Sequence, residues 1–420
     1  MPNNIRREEI KNLTKNPFHP AVLALVLSFI FVGGLWPSEV LAEKKFEAWV
    51  KNFCGYAKTR GITRSTCKTA FRGVTSVDPE ILPLTRYQPE FTQEMWMYFD
   101  PRVNEKSEAK GKEMKKKWGN WLGRIEKRLG VNRHILLAIW SMETSYGKAL
   151  EKHKSLRNVF RSLGTLAYAD KRRRKFARNQ LIHAMKIVQS GKMPANKLTG
   201  SWAGAMGHTQ FIPSSYNAWA VDMDGDGRKD IWNSIPDALA TAANLLRKNG
   251  WRTGKTWGYE VKLPKKLKRS RIGKTLTLAQ WDKLGLKRAN GKKFPRGKDN
   301  AVLKRFAGPK GPSFLVLKNF YVLKRYNNAD KYALAVGHLA DRIAGYGDFK
   351  QDWPRKYPKM SEPDRMEIQR HLARKGLYDG EIDGSIGSGS RKAIRKLQER
   401  LGMTPDGYAS KKLLAKMRKI

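Results

Sequence analysis

The segment "HILLAIWSMETSYG", residues 134 to 147, restricts the fold of this chain more than any other stretch. It is an apolar run that ends in a carboxylate, and Ile135, Ile139 and Glu143 recur at helical spacing. Glu143 therefore continues an otherwise apolar helix face, where poor solvation raises the pKa of a carboxyl group and suits it to general acid chemistry. Gly147 is expected to end the helix. The alternative is a glutamate that is paired with a buried arginine or turned to solvent.

The charge of the chain narrows the choice of partner. The 420 residues suggest two or three domains, and the formal net charge is +47 at pH 7. A chain this basic is expected to meet an acidic partner, which is nucleic acid, an anionic membrane or an anionic polymer such as the cell wall.

The N-terminus predicts export. Basic residues precede an apolar stretch at residues 21 to 35, which is shorter than the ~20 residues that a transmembrane helix needs. Val40 and Ala42 occupy the small-residue positions of a cleavage site, so residues 1 to 42 are predicted as a secretory signal peptide. The alternative is an uncleaved anchor, because the n-region also carries acidic residues. After cleavage no stable membrane span is expected, and nucleic acid is not an expected partner of an exported protein.

The two cysteines of the chain are Cys54 and Cys67, soon after the predicted cleavage point. An even number of cysteines in an exported chain predicts a disulfide that closes a short loop. Two buried free thiols are the alternative.

The composition divides the chain into segments. Residues 43 to about 250 have the apolar periodicity of helices. Residues 252 to 325 are rich in Lys, Arg, Gly and Pro and are predicted as a β-containing basic insertion, with "SFLVLKNFYVLKRY", residues 313 to 326, as strand material. A linker at residues 351 to 361 precedes residues 362 to 420, which are predicted as an independent module of three short helices.

The segment "GSWAGAMGHTQFIPSSYNAWAVD", residues 200 to 222, has the composition of a ligand-binding loop. Small residues alternate there with Met206, His208, Gln210 and Phe211. Small residues allow the backbone to approach a ligand closely, and aromatic faces with amides are groups that bind sugars. The alternative is a tightly packed turn between two helices.

A third segment, residues 222 to 237, contains half of a calcium loop. Aspartates at alternate positions, followed by glycine, match the pattern D-x-D-x-D-G: Asp222, Asp224 and Asp226. The twelfth position is Asn233 and not the usual glutamate, so Asp230 or Asp237 would have to close the site. An acidic turn without metal is the alternative.

Four blocks of the sequence together resemble the lytic murein transglycosylase B family: "IWSMETSYG", "SWAGAMGHTQFIPSSY", "DMDGDGRKDIW" and "RYNNADKYALAVGHLADRI". The resemblance covers roughly residues 45 to 350. The C-terminal block, with "GLYDGEIDG" and "AIRKLQERLGMTPDG", resembles the common three-helix peptidoglycan-binding module, although "SIGSGS" departs from its usual turn.

This resemblance implies a mainly α fold of the α+β kind. A lysozyme-like helical catalytic domain would occupy residues 43 to 350, with a small β-containing subdomain. It also implies site residues, with Glu143 as the single catalytic acid. The further residues implied are Ser201, Met206, Gln210 and Phe211 along the glycan cleft, Tyr326 and Asn327 near the glutamate, Arg172 and Arg173 towards the substrate, and Asp222, Asp224, Asp226 and Asp237 around a calcium ion.

The function expected from the resemblance is that of an exported, periplasmic or secreted peptidoglycan lytic transglycosylase. It would split the β-1,4 bond between N-acetylmuramic acid and N-acetylglucosamine without water. Glu143 would protonate the leaving oxygen and then act as base on the muramoyl C6 hydroxyl, which closes a 1,6-anhydro ring. No cofactor is required for this reaction, and Ca²⁺ would be structural. The alternatives are a hydrolytic muramidase with a second carboxylate and a non-catalytic wall-binding protein.

Overall fold

The computed structural model of the protein describes residues 37–86, 93–151 and 156–420, with side chains described from residue 43. Most of the predicted signal peptide, including its apolar stretch, lies outside the described residues. The described backbone is already helical at Pro37, so the predicted cleavage point after Ala42 falls within a helix. Among the described residues, no helix combines the length and apolar character that crossing a bilayer requires.

Helices dominate the main domain, as predicted. In the described residues they are α1 (Pro37–Lys58), α2 (Arg64–Ala70), α3 (Ile81–Leu84), α4 (Met95–Phe99), α5 (Glu105–Lys117), α6 (Gly119–Leu129), α7 (Arg133–Thr144), α8 (Val159–Ala169), α9 (Arg174–Gln189), α10 (Pro213–Trp219), α11 (Ile235–Lys248), α12 (Leu278–Lys283), α13 (Lys318–Tyr326) and α14 (Asp330–Ile343). Short 3₁₀ turns lie at Lys148–Leu150, Ala195–Lys197 and Arg269–Arg271.

Helix α7 occupies the centre of the main domain. Asn132 caps its start by accepting a hydrogen bond from the backbone N–H of His134. Its residues from Ile135 to Ser141 are all buried, and a helix that is apolar on every side has to lie inside a core. Helices α5, α6, α11 and α14 pack around α7 and exclude water from it. The position of the last turn of α7, which carries Glu143, is thereby fixed.

The basic insertion forms a small antiparallel sheet, which confirms the predicted β-containing subdomain. Its strands are β3 (Gly258–Lys262), β4 (Thr275–Thr277), β5 (Lys287–Arg288), β6 (Asn300–Arg305) and β7 (Ser313–Val316), in the order β4-β6-β7-β3-β5. Trp281 and Leu303 are fully buried in a separate apolar cluster under this sheet. A two-stranded ribbon of β1 (Arg157–Asn158) and β2 (Thr199–Gly200) lies in the helical part.

The strand prediction for residues 313 to 326 is wrong in its second half. Only Ser313–Val316 is a strand, and Lys318–Tyr326 is helix α13. Phe320 and Leu323 are fully buried three residues apart, which is helical spacing. Helix α13 packs against α11 and α14, and this tertiary burial overrides the strand preference of Val, Phe and Tyr.

The C-terminal module contains the three helices that the sequence predicts: α15 (Glu362–Arg374), α16 (Ser388–Arg400) and α17 (Lys411–Met417). They enclose an apolar cluster of their own, with Ile368, Leu372 and Ile394 among its buried residues. At the other end of the described chain, a disulfide joins Cys54 on α1 to Cys67 on α2, with a Cα–Cα distance of 5.8 Å.

Candidate active site

The chain turns sharply directly after Glu143. Helix α7 ends at Thr144, three residues before the glycine that was expected to stop it, and the next two residues have positive φ angles: Ser145 at 50° and Tyr146 at 60°. Among the described residues, Gln210 is the only other non-glycine residue with positive φ. A left-handed residue with a Cβ costs about 1–2 kcal/mol, and such strain is concentrated at functional sites. The strained residues therefore mark this end of α7.

The turn is held against the segment of residues 200 to 222. Thr144 Oγ1 donates to the backbone carbonyl of His208 at 2.7 Å, and Trp140 Nε1 donates to His208 Nδ1 at 3.2 Å. Burial lowers the pKa of His208 and favours the neutral ring, and because Nδ1 accepts from Trp140, the proton of the neutral ring lies on Nε2. A Cβ on Gly147 would lie 2.7 Å from the His208 ring, and glycine is required there for contact as well as for its φ of 94°.

Glu143 is half-buried and accepts a hydrogen bond from a tyrosine. The Tyr332 hydroxyl donates to Glu143 Oε1 at 2.6 Å. Burial raises the pKa of Tyr332 well above its usual value, and the charge of Glu143 adds to that shift. The phenol therefore keeps its proton and remains a donor. Tyr332 is not among the site residues predicted from the sequence, although it lies in a block that carries the resemblance. The signal for it is an aromatic donor on the apolar face of α14.

Tyr326 lies behind this pair and connects it to the loop. Its ring stacks on that of Tyr332 at 6.2 Å, and its hydroxyl donates to the Thr209 carbonyl at 2.5 Å. Phe211 meets Tyr326 edge to face at 5.7 Å. Burial raises the pKa of Tyr326, with a contribution from the charge of Glu143. The structure thus brings Glu143, Tyr326 and the loop around Phe211 next to one another, while their roles stay predictions.

The four loop residues predicted to line the cleft also stabilise the loop itself. Ser201 Oγ accepts from the N–H groups of Ala203 and Ala205, and Gln210 Nε2 donates to the Gly207 carbonyl at 2.9 Å. Met206 and Phe211 are 0% and 2% exposed, so their side chains support the loop from behind. A direct contact of these four residues with glycan stays a prediction.

The arginine pair is divided between two environments. Arg173 forms an ion pair with Asp170 at 3.1 Å, and its guanidinium lies 5.7 Å from the Trp202 ring. Arg172 is exposed, and its backbone N–H is bonded to Asp170. Asn327 follows the last residue of α13 as its C-cap. These positions do not test whether the three residues contact substrate.

A groove of about 1180 Å³ runs beside the turn, and the C-terminal module forms one of its walls. Met142, Ser145 and Lys148 line it on the main domain, and the module contributes the turn between α15 and α16, including Glu381 and Asp383. An ion pair of 2.9 Å joins Lys148 to Glu381 across it. The module thus borders the candidate active site, and its independence stays a prediction.

The aspartate loop has the donor chemistry of a calcium site. Oxygens of Asp222, Asp224 and Asp237 all lie within 4.8 Å of one another, and carboxylate oxygens are the preferred ligands of Ca²⁺. Asp226, which was also predicted as a ligand, lies outside this cluster. Asp237 is fully buried and accepts from the N–H groups of Met223 and Asp230. Burial raises the pKa of Asp237 and disfavours its charged form, which a bound cation would stabilise.

A half-buried glutamate at the end of a buried helix, with a groove beside the turn that follows it and a small sheet in the same domain, is the arrangement of lysozyme-like proteins that act on glycans. The chain belongs within this class to the lytic transglycosylase family. Residues 45–341 match the family described as "Transglycosylase SLT domain", and residues 361–417 match "Putative peptidoglycan binding domain".

Known relatives agree with this membership. The chain is 42% identical to SltB3 from Pseudomonas aeruginosa, solved in complex with NAG-NAM-pentapeptide, over 89% of this chain and 99% of that one, with a TM-score of 0.70. It is 30% identical over 230 residues to membrane-bound lytic murein transglycosylase B of Escherichia coli strain K12, which covers 53% of this chain and 60% of that relative. The matched region thus spans about three fifths of the curated relative.

A more distant relative shares the fold. The Escherichia coli lytic transglycosylase Slt35, solved in complex with calcium, is 24% identical over 70% of this chain and 92% of that one, with a TM-score of 0.59.

Proposed function

We propose that this protein is an exported lytic transglycosylase that cleaves peptidoglycan between N-acetylmuramic acid and N-acetylglucosamine and leaves 1,6-anhydromuramoyl ends. The observation that carries the proposal is the hydrogen bond from Tyr332 to Glu143 Oε1 beside a strained turn. A neutral donor on one oxygen fixes the orientation of the carboxyl group. The carboxyl group is thereby held in position for proton transfer.

Glu143 performs two proton transfers in this mechanism. In the first, its proton goes to the glycosidic oxygen, the bond from that oxygen to C1 of the muramoyl residue breaks, and the sugar ring develops positive charge. In the second, the Glu143 carboxylate takes the proton of the muramoyl C6 hydroxyl while that oxygen bonds to C1. The two transfers leave Glu143 protonated again, so no water and no cofactor is consumed.

The other assignments follow from the segments around the site. Aspartates 222, 224 and 237 would hold a structural calcium ion that stabilises the loop leading into α11. Export to the periplasm is supported by the predicted signal peptide and by the Cys54–Cys67 disulfide, which suits an oxidising compartment. The C-terminal module, which forms one side of the groove, would keep a peptidoglycan strand next to Glu143.

Product analysis tests the proposal. Purified peptidoglycan is digested with the full chain, and the muropeptides are weighed by mass spectrometry. Anhydro products, lighter by one water than hydrolysed ones, are expected. Products with reducing ends would replace the proposal by a hydrolytic muramidase, and an absence of turnover would leave a wall-binding protein.

One observation favours the hydrolytic alternative. Hydrolysis usually needs a second carboxylate, and Glu381 of the module lines the groove beside the turn. Its ion pair with Lys148 holds it as a structural group instead. We therefore expect Glu381→Gln to keep the anhydro product and to change the turnover number less than about fivefold, since exposed ion pairs are worth at most about 1 kcal/mol. Loss of turnover in that variant would favour hydrolysis.

A further inference from the structure

A second groove, of about 940 Å³, lies at the opposite end of α7 from Glu143. Its walls are the start of α7, the loop from α11 to β3, the segment after β5 and the end of α14. His134 of this groove and Glu143 are nine residues apart on one helix, a separation of ~14 Å along the axis at the rise of an α-helix. The groove is therefore distinct from the candidate active site.

Two buried polar atoms in this groove have no hydrogen-bond partner among the described residues. They are Nε2 of His134 and Nε1 of Trp251. His134 Nδ1 lies 3.1 Å from Asn132 Oδ1, which can only accept there, so Nδ1 carries the proton and Nε2 is an acceptor. Burial lowers the pKa of His134 and keeps the ring neutral. The pair is one acceptor and one donor, both covered by protein, and a ligand reaches them once the neighbouring side chains move aside.

An acetamido group matches that pair, because its N–H can donate to an imidazole nitrogen and its C=O can accept from an indole N–H. Buried polar atoms without partners cost free energy, and a ligand that satisfies them recovers it. The aromatic side chains in the groove supply faces for sugar rings. Tyr259 lines the groove, and Tyr346 is 68% exposed there, the largest exposed fraction among the large hydrophobic residues described.

Two lysines of the groove are available to bind a ligand carboxylate. Its carboxylates are bound within the protein: Glu126 by Arg133, Glu260 by the N–H groups of residues 350 and 351, Asp341 by Trp257 Nε1, and Asp348 by Arg342. Lys292 and Lys350 also line the groove and form no ion pair among the described residues. Within the described part of the chain these two ammonium groups lie at its rim without an ion-pair partner, and a ligand carboxylate can pair with them there.

We propose that this second groove binds a peptidoglycan strand without cleaving it, with an acetamido group between His134 and Trp251 and a stem-peptide carboxylate at Lys292 and Lys350. The ligand class rests on the proposed function, while the groove itself does not. A wall-degrading enzyme with two such sites would remain attached to one strand while it cleaves another.

Hydrogen exchange tests the proposal in the full chain. The probe is a soluble four-sugar peptidoglycan fragment with stem peptides, and the background is Glu143→Gln, which prevents cleavage. Slower exchange is expected in residues 251–260 and 338–350. The double variant Lys292→Ala/Lys350→Ala should need about tenfold more fragment for the same protection, the size expected for two exposed ion pairs. Protection confined to the surroundings of Glu143 and to the module would overturn the proposal.

A matched control removes the same charge elsewhere on the sheet subdomain. Lys265 and Lys266 are exposed and do not line the groove, so Lys265→Ala/Lys266→Ala should leave the protection unchanged. An equal loss in this control would show a general charge effect and contradict a built site. Trp251→Phe keeps an aromatic ring but removes the N–H, and it should weaken protection of residues 251–260.

Two further probes distinguish binding through acetamido groups from binding through negative charge. Chitotetraose carries acetamido groups without carboxylates and should protect the groove more weakly than the fragment. Inorganic phosphate should give no protection, and equal protection by phosphate would replace the proposal by a simple anion site. Turnover by the wild-type chain is measured separately. A protected groove without turnover would refute only the proposed function, and turnover without protection of the groove would refute only the second binding site.

Discussion

Glu143 and the aspartates of the 222–237 loop use carboxylates in opposite ways. The loop satisfies its carboxylates with backbone N–H groups: Asp222 accepts from Gly225 and Gly227, and Asp237 from Met223 and Asp230. Glu143 instead accepts from a side-chain hydroxyl, and the backbone beside it is strained. Carboxylates bound by their own backbone organise a loop, whereas one that accepts from a movable side-chain hydroxyl can exchange a proton with a substrate.

The strongest test of this contrast is Glu143→Gln. Glutamine keeps the size and shape of the side chain but cannot deliver a proton, so both proton transfers are lost. We expect turnover of soluble glycan to fall about a thousandfold or more, with folding and glycan binding unchanged. The matched control is Glu113→Gln, which replaces an exposed glutamate on α5 and should keep full activity. Near-normal turnover of the Glu143 variant would remove this residue from the mechanism.

Tyr332→Phe tests the orienting hydrogen bond. The variant should lower kcat about tenfold with little change in KM, since the fold and the cleft stay intact. The hydroxyl stabilises the Glu143 carboxylate, so its loss raises the pKa of Glu143 and moves the basic limb of the pH–rate profile to higher pH. Tyr326→Phe, whose hydroxyl contacts the loop and not Glu143, should leave that limb in place. Identical profiles for the two variants would show that Tyr332 is only structural.

Calcium and pH test the aspartate loop. The raised pKa of Asp237 means that the folded protein binds this proton more tightly than the unfolded chain does. The stability of the metal-free protein therefore falls as the pH rises above about 4, where an ordinary aspartate ionises. Added Ca²⁺ should reverse that loss at pH 7 and raise the melting temperature by several degrees. A chelator should return the melting temperature to its metal-free value. Asp237→Asn should abolish the calcium shift, while Asp226→Asn, outside the cluster, should retain it. A melting temperature insensitive to calcium would favour a metal-free turn.

The smallest expected effect concerns the strain beside Glu143. At an ordinary helical position, alanine is more stable than glycine, but Ser145 has a φ of 50°. We therefore expect the free energy of unfolding of Ser145→Gly to be about 1 kcal/mol higher than that of Ser145→Ala, because only glycine adopts this backbone conformation without cost. Denaturant unfolding of the two variants measures the difference. The opposite order would mean that the turn relaxes when the side chain changes.

The sequence by itself determined much of this protein. Helical periodicity placed α7 and the module helices, and the aspartate spacing located the acidic loop, because these patterns depend on contacts within a few residues. The four blocks that carry the family resemblance gave the class of protein and singled out Glu143.

Only the tertiary structure decided the rest, since it depends on residues far apart in the chain. Helix α13 replaced the predicted strand because its buried residues pack between α11 and α14. Tyr332, 189 positions from Glu143, became its hydrogen-bond donor through the packing of α14 against α7. The groove wall formed by the module and the second groove at the start of α7 likewise combine distant segments, and no local sequence pattern encodes such long-range contacts.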